Sequence, residues 1–163
     1  MSPHTVAWVL LTFVGLVLVS AWVFQQFGRR WLTGRRQAEA ERALRLFPLQ
    51  REMLEAKFFD MARATGKPRG LKWLDCDWQH DVTFARACDT GLLTAFVAVN
   101  IRFEAIADGD MDGVAAVDTI RDASAVFQFQ QDHWGTAGKA LFNMNPAEAL
   151  TRLAGQFEPV TVS

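Results

Sequence analysis

Three aspartates at alternate positions form the most suggestive chemical motif of the sequence. Asp108, Asp110 and Asp112 precede Gly113, as in the first half of a calcium loop, where carboxylates converge on the cation and glycine allows the turn. The second half of the loop departs from the pattern, because its last position should carry a bidentate Glu and is Thr119. We therefore interpret the segment as an acidic, solvated turn and keep the three aspartates as candidate metal ligands.

A second group of chemically active residues lies between Asp75 and Asp81. In an extended strand Asp75 and Asp77 share one face, and Cys76 points the other way. A nucleophilic cysteine needs a positioned base, which His80 or His133 could supply. The plainer interpretation is a strand end followed by a polar turn. The sequence contains no phosphate-binding glycine loop, nucleophile elbow or zinc-binding helix motif, so we expect no cofactor and no enzymatic activity.

Two helical segments precede these motifs in the chain. Residues 37–47 are rich in strong helix formers, which favours a helical stalk. Pro48 should break or kink this stalk and begin a second helix that extends to about residue 64. Leu54, Phe58 and Met61 share one face of that second helix, and we expect this face to be buried.

The rest of the chain has mainly β character. Residues 71–78 and 82–88 are short apolar runs. Residues 93–103 alternate between an apolar face and a mixed face, residues 124–131 alternate again, and residues 139–144 are the last predicted strand. A short helix is predicted near residues 114–120. A last helix should begin at Asn145, with Pro146 and Glu148 in its first turn, and bury Leu150, Leu153 and Phe157. This order predicts an α+β fold, in which an antiparallel sheet of about five strands packs with two or three helices.

An uncharged run at the N-terminus predicts a single transmembrane helix. Residues 6–24 contain 19 residues and no charge, which gives a helix of about 28 Å, close to the thickness of a hydrocarbon core. Two tryptophans lie near the ends of the run, a third tryptophan and four arginines follow it, and we assign all seven to a membrane interface. These residues are Trp8, Trp22, Arg29, Arg30, Trp31, Arg35 and Arg36. Because the arginines all follow the run, we expect the N-terminus outside and the C-terminal domain in the cytoplasm.

These predictions divide the chain into three parts and limit its function. Residues 1–27 would be the membrane anchor, residues 28–47 a basic juxtamembrane segment and stalk, and residues 48–163 a cytoplasmic α+β domain. All four interfacial arginines precede residue 37, so residues 37–163 carry 13 basic and 18 acidic residues. The resulting negative charge is unfavourable for nucleic-acid binding, which needs phosphate contacts from Lys and Arg.

We therefore expect a membrane-anchored protein with a protein-interaction domain, such as an accessory or scaffold subunit of a membrane complex. Its partners would be the lipid bilayer and another protein, and a homo-oligomer is left open. The alternative is an α+β domain that encloses a small-molecule pocket, for sensing or for an unrecognised reaction. An exposed apolar patch would favour protein interaction, and a concave cavity with a buried polar cluster would favour the pocket.

The first prediction concerns the aspartate motif. Replacement of Asp110 by Ala should change neither the melting temperature of the protein nor its response to added Ca²⁺, because an acidic turn has no bound cation to lose. Thermal unfolding with calcium and with a chelator measures this. A rise in melting temperature with calcium that disappears in Asp110→Ala would show that the motif is a calcium site.

Overall fold

The computed structural model describes residues 3–65, 71–106 and 120–161, and for residues 3–15, 17–19, 21–32 and 65 it describes the backbone alone. The elements, in chain order, are α1 (Pro3–Thr65), β1 (Leu71–Ala87), β2 (Leu93–Ala105), β3 (Arg121–Gln130), β4 (His133–Gly135), β5 (Ala140–Phe142), α2 (Pro146–Arg152) and β6 (Phe157–Pro159).

Helix α1 continues through Pro48, which corrects the predicted break at that residue. A proline inside a helix loses one backbone hydrogen bond and costs about 3 kcal/mol. Its side chain is exposed, so the ring meets no packed neighbour. The buried residues Phe47 and Leu54 on either side of Pro48 belong to the same core, and their packing offsets the lost hydrogen bond.

No helix within the described residues is long and apolar enough to cross a membrane. The predicted N-terminal transmembrane helix is therefore corrected, together with the single-pass topology and the membrane localisation that rested on it. The uncharged run is not a separate element, because residues 6–24 belong to the same helix as Arg29 and the charged residues that follow. Most side chains of that run lie outside the described part of the chain.

The chain divides into two compact units, Met1–Glu39 and Ala40–Ser163. The first unit consists of helix in its described part. The second unit contains the rest of α1 and all the described strands. Its helical part already contributes the buried residues Ala40 and Ala43.

Six strands form one antiparallel sheet in the described part of the second unit. Their order is β4-β3-β2-β1-β6, and β5 pairs with β3 beyond the end of β4. The predicted count of about five strands is corrected to six, because the apolar runs of residues 71–78 and 82–88 form the single strand β1 and the short strands β4 and β6 are added. The alternation predicted for residues 93–103 is present in β2, whose residues Val97, Val99 and Ile101 are buried in the core.

Strand β1 joins the two apolar runs that the sequence separated at residues 79–81. Trp78 pairs with Val99, and Val82 pairs with Val97, so three residues of β1 lie opposite the single residue Ala98. This three-residue bulge contains the polar segment, and the strand continues beyond it. The polar turn predicted for residues 79–81 is thus an irregularity within one strand.

The core lies between α1 and the inner face of the sheet. Phe47, Leu54 and Phe58 of α1 are buried there, and Phe127 of β3 lies 5.9 Å from the ring centroids of both Phe47 and Phe58. The predicted burial of Leu54 and Phe58 is confirmed. Met61 is only half-buried, because Ala62 occupies the next core position.

Helix α2 covers part of the outer face of the sheet. Its predicted start is confirmed: the Asn145 side chain accepts a hydrogen bond from the Glu148 backbone, and Glu148 accepts one from the Asn145 backbone. The helix ends at Arg152, so Phe157 belongs to β6 rather than to the helix. Its ring packs against Phe96 at 5.2 Å. Residues 114–119 of the other predicted short helix lie outside the described residues.

The second prediction tests the core of the second unit. Phe58 is fully buried, so Phe58→Ala should reduce the free energy of unfolding by about 3–5 kcal/mol. Met53 lies five residues earlier on the same helix and is 59% exposed, so Met53→Ala is the matched control and should change stability by less than about 0.5 kcal/mol. Urea unfolding of a fragment spanning residues 40–163 measures both. Equal losses in the two variants, or an uncooperative transition, would contradict an independent core.

Candidate functional site

The segment around Cys76 does not form a nucleophilic centre. Cys76 pairs with Ile101 of the core face, whereas Asp75 and Asp77 pair with residues of the outer face, so the predicted division of faces is confirmed. Asp75 forms an ion pair with Arg102, whose Nη2 lies 2.6 Å from Oδ2 of the aspartate. Asp75 therefore has a cationic partner of its own.

Burial and the negative charge of Asp75 raise the pKa of the Cys76 thiol to about 12. A thiol with this pKa stays protonated near neutral pH, and the protonated form is a poor nucleophile. The two candidate bases are exposed: His80 lies in the bulge of β1, and His133 lies in β4, with Nδ1 3.1 Å from the Gln131 carbonyl oxygen. The geometry thus favours the structural interpretation of Cys76.

The other predicted site residues are either exposed or lie outside the described residues. Asp108, Asp110 and Asp112 fall within residues 107–119, outside the described residues. Elsewhere in the described chain, no group of three His, Cys, Asp or Glu residues could hold a metal ion. Of the residues assigned to a membrane interface, only Arg35 and Arg36 have described side chains, and both are exposed. The side chains of Trp8, Trp22, Arg29, Arg30 and Trp31 lie outside the description.

A groove of about 400 Å³ lies beside α2, at the residues that follow its C-terminal end. Its floor consists of apolar residues, including Phe96, Leu141 and Phe157, and its rim carries Lys139 and Asp89. Both rim residues are exposed, so the groove lacks the buried polar cluster expected of an orienting ligand site. Thr94 has a buried hydroxyl with no hydrogen-bond partner among the described residues, but it does not line the groove.

The clearest unpartnered feature is on α1. Leu49 is 81% exposed and Met53 is 59% exposed, and the two lie one helical turn apart. Leu46 and Ala56 continue the row at spacings of three, four and three residues; Ala56 is exposed and Leu46 is half-buried. We call these four residues the α1 seam. The spacing of these residues is visible in the sequence, but the sequence does not show which apolar face of the helix the sheet covers.

Three residues of the α1 seam, Leu49, Met53 and Ala56, are exposed, whereas Leu46 lies at its edge and packs partly against the core. The buried positions include Phe47, Leu54 and Phe58, and residues four and seven positions apart share a face. Leu49 and Met53 lie on the opposite side of the helical wheel. The sheet therefore cannot cover them, and their exposure follows from the orientation of α1 on the sheet.

Comparisons with known proteins do not add a function to this geometry. The chain matches no family model, no curated protein and no solved structure.

The third prediction concerns the two thiols. Cys88 is exposed, whereas the raised pKa of Cys76 keeps its thiolate population small until the pH approaches 12. At pH 8 a thiol reagent should therefore modify Cys88 readily and Cys76 far more slowly, because the thiolate is the reacting form. Mass spectrometry of peptides after timed alkylation, with Cys88→Ser as the control, measures this. Rapid modification of Cys76 in the folded protein would contradict the assignment.

Proposed function

We propose that the chain is a non-enzymatic protein-binding module that uses the α1 seam as its contact surface. The observation that carries the proposal is the exposure of Leu49 and Met53 on a helix whose opposite face is already packed. Two large apolar side chains on adjacent turns give an amphipathic partner helix the anchor positions it needs. Isolated exposed apolar residues are common, whereas a row of them on one helix face is typical of an interaction surface.

The free energy available from this surface supports a specific contact. Burial of a Leu or Met side chain contributes about 1.5–3 kcal/mol, so Leu49 and Met53 together would contribute about 3–6 kcal/mol before the entropy of association is subtracted. Two charged residues, Glu52 and Lys57, border the seam and are exposed. An apolar centre with a charged rim is the usual anatomy of a protein interface.

The absence of a competing reaction centre in the described chain supports the same proposal. Cys76, which lies between two aspartates, has a raised pKa, and His80 and His133 are exposed. The groove beside α2 has no buried charged group to orient a substrate. The interaction hypothesis is therefore better supported than the pocket hypothesis.

The fourth prediction tests the seam as a binding surface. The double variant Leu49→Gln/Met53→Gln should fold like the wild type, because both side chains are exposed, and should lose the proteins that co-purify with the full chain. Leu74→Gln is the matched control, since Leu74 is 52% exposed and lies on β1, away from the seam. Affinity purification with quantitative mass spectrometry compares the three proteins. Unchanged co-purification in the double variant, or equal loss in the control, would refute the proposed surface.

A further inference from the structure

The spacing of the α1 seam specifies the geometry of its partner. Leu46, Leu49, Met53 and Ala56 follow the alternation of three and four residues that characterises a coiled-coil seam. In the heptad notation Leu46 and Met53 are a positions, and Leu49 and Ala56 are d positions. A partner that fills this seam is therefore another helix, which packs nearly parallel or antiparallel to α1.

The charges beside the seam distinguish between these two orientations for a second copy of the chain. Glu52 precedes an a position and Lys57 follows a d position, so they are g and e residues of successive heptads. In a parallel pair a g residue faces the e residue five positions later on the other helix. Glu52 of each copy would then face Lys57 of the other, which gives two attractive pairs.

An antiparallel pair of the same helix has the opposite charge pattern. The antiparallel register that uses all four seam residues places Leu46 opposite Ala56 and Leu49 opposite Met53. In that register g positions face g positions, so Glu52 meets the Glu52 of the other copy. Like charges across an interface are unfavourable. The side chains that border the seam therefore select the parallel arrangement.

The residues at both ends of the seam are consistent with a short parallel contact. Arg42 would occupy the preceding d position, but its Nη1 lies 2.6 Å from the Asp132 carboxylate, so its charge has a partner within its own chain. Asp60 would occupy the following a position, where two copies bring like charges together and end the contact. Glu52 and Lys57 form no ion pair with another described residue of their own chain, and both are exposed.

We infer that the α1 seam pairs two copies of this chain as a short parallel coiled coil, with Leu46, Leu49, Met53 and Ala56 in the centre and Glu52 facing Lys57 of the other copy. The inference rests on the proposed function, because it names the partner of that surface. The sheet does not obstruct the approach, since it packs against Phe47, Leu54 and Phe58 on another face of α1. Two heptads form a small interface, so the dimer is weak and depends on concentration.

The fifth prediction is made with a cysteine placed in the seam of the full chain. Ala56→Cys in a Cys88→Ser background should give a disulfide-linked dimer under mild oxidation in cells, because equivalent d positions of a parallel pair lie close enough for a disulfide. In the antiparallel register the two copies of residue 56 are ten residues apart, about 15 Å along the axis, and no disulfide forms. Ala147→Cys is the matched control, because Ala147 is also an exposed alanine but lies on α2.

Charge exchange then tests the register. Glu52→Lys and Lys57→Glu should each reduce the cross-linked dimer by roughly fivefold, since each replaces two attractive pairs with two repulsive ones. The double exchange Glu52→Lys/Lys57→Glu should restore the wild-type yield. A dimer that forms from Ala56→Cys but does not respond to these exchanges would overturn the parallel register.

The same experiment separates this inference from the proposed function. If Ala56→Cys cross-links only to a different protein, and Leu49→Gln/Met53→Gln prevents this, the seam is a binding surface but its partner is not a second copy. If neither product forms while the folded protein is present, the inference and the proposed function both fail. An equal yield of dimer from Ala147→Cys would show collision rather than pairing and would also overturn the inference.

Discussion

The packing of α1 against the inner face of the sheet determines which residues of this helix are buried and which are exposed. Phe47 and Phe58 lie nearly three turns apart on the helix, and the ring of Phe127 contacts both. Phe47 also lies 5.0 Å from the ring of Trp134, whose Nε1 donates to the Ala43 carbonyl at 2.8 Å. These contacts fix the rotation of the helix about its axis. A fixed rotation also decides which residues remain outside, and it leaves Leu49 and Met53 exposed.

The three-residue bulge of β1 also fixes the position of α1. Arg51 donates from Nη2 to the carbonyl oxygen of Gln79 within the bulge, and its Nε lies 2.6 Å from the Glu55 carboxylate. A regular strand would direct that carbonyl toward a neighbouring strand, whereas the bulge leaves it available to the helix. Both ends of the Arg51–Glu55 pair are partly buried, so solvent screens the pair less than it screens an exposed pair. The irregular strand and the helix therefore hold each other in position.

Local signals in the sequence predicted individual elements well and their connections poorly. The capping residues Asn145 and Glu148 sufficed to place the start of α2, because a capping box is completed within four residues. The alternation in β2 was equally clear, since one face meets the core along its length.

By contrast, the polar residues at 79–81 resembled a turn, and only pairing with β2 shows that the strand resumes at Val82. Pro48 resembled a helix end, and only the packing of Phe47 and Leu54 on one sheet shows why the helix continues. The prediction of a transmembrane helix is also wrong, since no helix within the described residues is long and apolar enough to cross a membrane.

The separation between core and seam has a consequence for the stability of the unpaired chain. The residues that hold the second unit together, such as Leu54, Phe58 and Phe127, are fully buried within one copy. The seam residues Leu49 and Met53 contribute little to that core, so the fold does not require a partner to be complete. Association can then be reversible, with a population set by local concentration rather than by folding. An obligate subunit would instead bury a large apolar surface between chains, and the seam is too short for that. The arrangement of α1 thus favours a stable module that forms weak, orientation-specific contacts.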